Sequence, residues 1–169
     1  MESLKSADNV VLIGMPAAGK STIGVILAKA LSLDFVDTDV VIQAREERTL
    51  QQLLEDLDPD GFRKLERRHI LSLDCRGTVI ATGGSVVYSD DAMSHLSSRG
   101  VIVHLDLPLE EIERRIDNLE VRGVVMDPAE TLSQLFEERQ PLYERYAEVT
   151  VQCFGLGHEE IVREIVERL

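Results

Sequence analysis

The chain is poor in cysteine, lacks any long apolar run and has far fewer basic than acidic residues; each shortage removes a class of function. Its two cysteines, Cys75 and Cys153, form no CxxC pair, which argues against a cysteine metal cluster and points to buried thiols in a reducing cytoplasm. No apolar stretch approaches the roughly 20 residues that a membrane span needs, and the opening MESLKSADN has no signal-peptide hydrophobic region. The four histidines, His69, His95, His104 and His158, never fall at metal-ligand spacing, so structural roles are expected for them. Eighteen Lys and Arg stand against 31 Asp and Glu, a formal net charge of −13. Most of such a surface repels a phosphate backbone, so nucleic acid is excluded as a partner and any bound anion must find a local basic pocket. Repeats, low-complexity tracts and Pro/Ser-rich linkers are also missing. The expectation is one domain over residues 1–169.

What is present alternates. Apolar runs of strand character occur at NVVLIG, DFVD, TVIAT, VIVHLDL and VTVQC, mostly separated by segments of helical spacing. This predicts an α/β fold with a parallel sheet covered by helices. From Asp60 to Asp74, Phe62, Leu65, His69 and Leu73 form one helical stripe expected to pack on the sheet, with Arg63 and Arg67 pointing elsewhere. The closing HEEIVREIVERL offers Ile161, Ile165 and Leu169 as core positions.

The clearest chemical signal lies where the first strand ends. GMPAAGKST matches GxxxxGK[ST] through Gly14, Gly19, Lys20 and Ser21, follows a strand and opens the helical run TIGVILAKAL. Backbone N–H groups of such a loop, with the helix N-terminus behind them, make a concavity for phosphate. Lys20 would reach the β and γ phosphates of a nucleotide, and the Ser21 hydroxyl would ligate Mg²⁺.

Two further stretches bear on where the phosphoryl group goes. In FVDTDVVI, Asp37 and Asp39 lie one residue apart after the second strand; in extended chain both carboxylates face one site. One could support Mg²⁺ through water and the other could orient or deprotonate a hydroxyl, while helix capping by Asp39 is an alternative. VIATGGSVVY places two adjacent glycines at the carboxyl end of a predicted parallel strand. They are either a plain tight turn or bare backbone that a ligand approaches, and open α/β sheets bind ligands at that end.

Together these stretches resemble the shikimate kinase family, small P-loop phosphotransferases of the nucleoside-monophosphate-kinase type. The resemblance runs through GMPAAGKST, FVDTDVVI, DGFRKLE, ATGGSVV, the Arg122 segment and ERQPLYERYA, in order and over nearly the whole chain. It implies a three-layer P-loop fold with a five-stranded parallel sheet, a substrate-binding helical region at about 39–75 and a lid at about 117–130. It also implies a cytoplasmic, monomeric enzyme that uses ATP and Mg²⁺ to phosphorylate a small anionic hydroxy acid, most specifically the 3-hydroxyl of shikimate. Carried over by residue, ATP binding falls on Gly14, Ala17, Ala18, Gly19, Lys20, Ser21, Thr22, Arg115 and Arg122, and metal binding on Ser21 and Asp37. Acceptor binding falls on Asp39, Arg63, Gly83, Gly84 and Arg139, with Lys20, Asp39 and Arg122 catalytic.

The acceptor arginines agree with chemistry, since guanidinium grips a carboxylate bidentately. Taken alone, Arg63 could simply pair with Glu66, Arg139 with Glu137, Glu138 or Glu144, and Arg115 could belong to a solvated helix face. The chain departs from the family at Ser85, where a third glycine is usual, and at Gly123, Val124 and Val125, where Pro-Leu-Leu is usual after the lid arginine. Ser85 would restrict the backbone if that position needs a positive φ. Other readings are a kinase of a sugar acid or hydroxy amino acid, and a nucleotide-binding regulatory module without phosphotransfer.

Overall fold

In the computed structural model, residues 8–117, 125–127 and 130–169 are described. The chain begins with β1 (Asn9–Ile13), every residue of which is buried, and continues through α1 (Lys20–Leu31), β2 (Asp34–Asp37), α2 (Thr38–Glu46), α3 (Leu50–Asp56) and α4 (Pro59–Leu71). There follow β3 (Thr78–Ala81), a 3₁₀ turn at Val86–Tyr88, α5 (Asp90–Ser97), β4 (Gly100–Asp106), α6 (Leu109–Asp117), α7 (Leu132–Tyr146), β5 (Val149–Gln152) and α8 (His158–Arg168). All five strand-like runs read from the sequence are strands. They form one parallel sheet in the order β2-β3-β1-β4-β5. A central parallel strand covered on both faces must be apolar throughout, and Val10, Val11, Leu12 and Ile13 meet that demand with no exposed surface.

Because β1 lies between β3 and β4, the chain crosses to one side of β1 and later to the other. The loops at the carboxyl ends of β1, β2 and β3 thus gather around one crevice, the place where such sheets bind ligands. Capping residues fix the entries of the helices that follow β2 and α2. Asp58 caps α4 through Gly61 N–H at 2.6 Å with Pro59 at the first turn, and Thr49 with Gln52 forms a capping box on α3.

The core has two parts. The main one joins the sheet to the surrounding helices, including Ile161 and Ile165 of α8, with Leu169 packed partly buried against it. A smaller cluster of Ile42, Leu53, Phe62 and Val125 lies beneath α2, α3 and α4. The stripe expected on α4 is divided between them. Phe62 and the partly buried Leu65 belong to the small cluster, whereas Ile70 and Leu73 join the main one, and His69 meets Glu46 at 2.6 Å. Among the described residues no helix is long and apolar enough to cross a membrane.

Candidate active site

The loop after β1 is shaped by three left-handed residues, Gly14 (φ 145°), Ala17 (φ 63°) and Gly19 (φ 93°), which turn successive N–H groups toward one concavity. At Gly14 a Cβ would lie 2.7 Å from the Leu105 carbonyl oxygen, so a side chain is excluded by space as well as by φ. Ala18 is buried, and its N–H donates to the Met15 carbonyl at 3.2 Å. The Lys20 ammonium donates to the Gly14 and Met15 carbonyls, each at 2.8 Å. Burial lowers its pKa to about 8, with Asp39 pulling the other way. Arg115 crosses from α6 to donate to the Ala17 carbonyl at 3.2 Å while also bonding Glu111 at 2.8 Å. Its neighbour Arg114, 66% exposed, pairs with the same Glu111.

Asp37 ends β2 and is the N-cap of α2, its Oδ1 accepting from the N–H groups of Asp39 and Val40 at 3.0 and 3.3 Å. Capping thus falls to Asp37, and Asp39 sits in the first helical turn rather than in extended chain. The other Asp37 oxygen accepts from Ser21 Oγ at 2.6 Å. This places a hydroxyl and a carboxylate, both hard oxygen donors, together at the mouth of the loop, a set that suits Mg²⁺. Among the described residues no group of three or more His, Cys, Asp or Glu side chains could hold a metal ion. A cation there would therefore draw most of its ligands from water and phosphate, as Mg²⁺ commonly does.

A cavity of about 260 Å³ opens beyond the loop, lined on one side by Ala17, Gly19, Lys20, Ser21 and Thr22 and on the other by Asp39, Glu66, Gly83, Gly84 and Arg139. The two glycines have no positive φ, so they are not there for turn conformation. A Cβ on Gly83 would stand 2.3 Å from Glu66 Oε1 and 3.1 Å from Asp39 Oδ1, and one on Gly84 would stand 3.0 Å from an Arg139 nitrogen. They are glycines because charged side chains pass against their backbone. Ser85 has φ −90°, a conformation open to any residue, so the serine strains nothing. Its hydroxyl turns to Glu66, donating to Oε2 at 2.6 Å.

Electrostatically the cavity is unusual. Arg139 is fully buried and bonds the Val125 carbonyl and the Tyr88 hydroxyl, the latter at 3.3 Å, rather than Glu137, Glu138 or Glu144. A buried guanidinium held by neutral acceptors favours an incoming anion. Burial, then the charge of Asp37, pushes Asp39 up to about 6 against the pull of Lys20. Burial pushes Glu66 up to about 7, opposed by the Ser85 hydrogen bond. The second Glu66 oxygen is shielded from solvent without a hydrogen-bond partner.

Arg63 is not in this cavity. It pairs with Asp60 at 3.4 Å rather than with Glu66, lies over the Tyr88 ring and lines a neighbouring cavity of about 340 Å³ that shares Glu66 and Ser85 with the first. Arg122, Gly123 and Val124 lie outside the described residues, as does much of the expected lid. Sequence reasoning passed over Glu66, Tyr88 and the Ser85 hydroxyl's role. For Glu66 a signal existed, since it stands four residues after Phe62 and three before His69, within the buried face of α4.

Residues 16–169 match the family model for shikimate kinase. The shikimate kinase of Pasteurella multocida is 41% identical over 163 residues, covering 94% of this chain and 93% of that protein. Among solved structures, shikimate kinase from Acinetobacter baumannii in complex with shikimate superposes with a TM-score of 0.84 at 29% identity, over 95% of this chain and 92% of that one. The Aquifex aeolicus shikimate kinase gives a TM-score of 0.79 at 32% identity, covering 95% of each. Matched along nearly its whole length by the family model and by relatives of this identity, the chain belongs to the shikimate kinase family.

Proposed function

We propose that this chain transfers the γ-phosphoryl group of ATP to the 3-hydroxyl of shikimate, giving ADP and shikimate 3-phosphate. The observation that carries this reading is one cavity with the Lys20 ammonium on its nucleotide side and Asp39 with a fully buried Arg139 on the other. The phosphate loop and its helix N-terminus take the triphosphate, with Lys20 leaving the loop carbonyls for the β and γ phosphates. Ser21 and Asp37 would hold Mg²⁺, which would offset the charge of the phosphates. Arg115, already against the loop at Ala17, is assigned to the adenine side.

On the acceptor side, Arg139 and Arg63 take the carboxylate of shikimate, and Gly83 and Gly84 let its ring approach bare backbone. Asp39 accepts the proton of the attacking hydroxyl. That oxygen bonds to the γ phosphorus as the bond from phosphorus to the ADP oxygen breaks. A carboxyl titrating near 6 is ionised at neutral pH yet more basic than an ordinary aspartate, which suits this role. The family resemblance assigns a lid to about 117–130, mostly outside the described residues, and Arg122 in it would serve the transferring group and limit loss of ATP to water.

The test is ADP release with ATP, Mg²⁺ and a panel of hydroxy acids. Shikimate is expected to stimulate release far above background. Stimulation by a different acid but not by shikimate would overturn the acceptor, and no stimulation by any acid would favour a nucleotide-binding module.

A further inference from the structure

We infer that Tyr88 is a positioning residue for carboxylate recognition: its ring and hydroxyl hold Arg63 and Arg139 beside each other so that both can close on one acceptor carboxylate. The inference rests on the reading that these two arginines take that carboxylate.

Tyr88 ends the 3₁₀ turn directly after Gly83, Gly84 and Ser85, and its N–H donates to the Ser85 carbonyl at 3.1 Å. Whatever fixes the acceptor wall therefore fixes Tyr88 too. The Arg63 guanidinium carbon stands 3.9 Å from the ring centroid and that of Arg139 5.3 Å, while Arg139 Nε donates to the phenol oxygen at 3.3 Å. The other partner of Arg63 is Asp60, at 3.4 Å and with a side chain 78% exposed, a pair of the kind that contributes little. Stacking on the ring is thus the stronger hold on Arg63. Its Nε is shielded from solvent and has no hydrogen-bond partner, a donor that a carboxylate would satisfy.

Two guanidiniums this close to one residue repel each other before an anion arrives. The electron-rich ring face and the phenol oxygen supply partial negative charge to both. Burial first, and then Glu138, keep the phenol protonated against the pull of Arg139, so its oxygen remains a neutral acceptor rather than a permanent counter-ion. A phenolate or a carboxylate in its place would compete with the acceptor. The neighbouring cavity of about 340 Å³, lined by Arg63 and Tyr88 together, gives the Arg63 side chain room to swing without displacing the core.

Steady-state kinetics on the full chain test this. Tyr88→Leu is expected to raise the KM for shikimate roughly tenfold, the loss of one stacked cation, with kcat and the KM for ATP within about twofold. Tyr88→Phe, which keeps the ring, should stay within about threefold of the wild type. With the carboxamide analogue of shikimate, whose neutral head does not need two cations, the Tyr88→Leu penalty should vanish. An equal penalty on both acceptors, or KM values for ATP and acceptor rising together, would overturn the inference in favour of a merely structural tyrosine. Should Tyr88→Leu not fold, Tyr88→Gln supplies the same contrast. Arg63→Ala run in parallel separates the two levels. If it leaves the shikimate KM unchanged, the arginine reading fails; if it raises that KM while Tyr88→Leu does not, only the positioning role fails.

Discussion

Replacing Glu66 by Gln should make the unliganded chain more stable, and increasingly so as pH rises. Glu66 is 2% exposed, bonded on one oxygen by Ser85 and unpartnered on the other. Burial moves its pKa from 4.5 to about 7. Below 4.5 it is protonated whether folded or unfolded, and its ionisation costs the fold nothing. Between 4.5 and about 7 the unfolded chain has released this proton while the folded chain still holds it. Since stability changes with pH as protons bound unfolded minus protons bound folded, it falls across this window and levels off above it. A carboxyl titrating near 7 rather than 4.5 removes about 3 kcal/mol once ionised. Glutamine fills the same space, can still accept from Ser85 Oγ and never ionises. Urea unfolding should therefore show Glu66→Gln gaining about 2–3 kcal/mol on the wild type between about pH 5 and about pH 8. A difference that does not change with pH would mean that Glu66 titrates as an ordinary carboxylate, and the buried, half-satisfied group described above would be wrong.

Two further outcomes concern catalysis. Asp39→Asn should lower kcat by roughly 10²- to 10⁴-fold and leave the KM for ATP near the wild-type value. In the wild type, kcat/KM for the acceptor should be lost as pH falls through about 6, where Asp39 takes up a proton, and this limb should be missing from the variant's profile. Gly83→Ala would set a methyl 2.3 Å from Glu66 Oε1 and 3.1 Å from Asp39 Oδ1. Glu66 must move aside and Asp39 give by a few tenths of an ångström, which should lower kcat/KM for the acceptor by less than the roughly 10²-fold of a misplacement of about 1 Å, and steady-state kinetics should find nucleotide binding unchanged.

The parts of the molecule legible in the sequence are those whose cause is local. Buried parallel strands must be apolar on both faces, so five short runs stood out and all five are strands. The phosphate loop is contiguous, and its glycines, lysine and hydroxyl serve one concavity. Features that depend on distant partners were not legible. Whether Asp37 or Asp39 caps α2 depends on where β2 stops, and the bond from Ser21 to Asp37 spans 16 residues. Arg139 follows two glutamates in a helix of charged residues, yet it is fully buried because Tyr88 and Val125 close over it from other segments. Glu66 shares the apolar face of α4 only because Ser85, 19 residues away, accepts the role of its partner. In that light the departure at Ser85 concerns the neighbouring carboxyl, not the backbone, which is ordinary there.

The charges of the site impose an order on the reaction. The chain carries a formal net charge of −13, and its cavity already holds Asp39 and Glu66 with raised pKa values. An arriving triphosphate and an acceptor carboxylate add several negative charges within a few ångströms. Left uncompensated, they would raise the pKa of Asp39 further, protonate it and so remove the base before any transfer. On the proposed reading, cations at Lys20 and Arg139, and any bound between Ser21 and Asp37, would do two things: stabilise charge on the moving phosphoryl group and keep Asp39 ionised until the acceptor proton is ready to leave. Glu66 responds to the same field in the same direction but from a higher starting point. Starting near 7, it is driven to its neutral form as anions bind, so its proton turns an unsatisfied oxygen into a donor that no longer repels the acceptor. On the proposed reading, Asp39 is then the ionised base and the more deeply buried Glu66 its neutral neighbour.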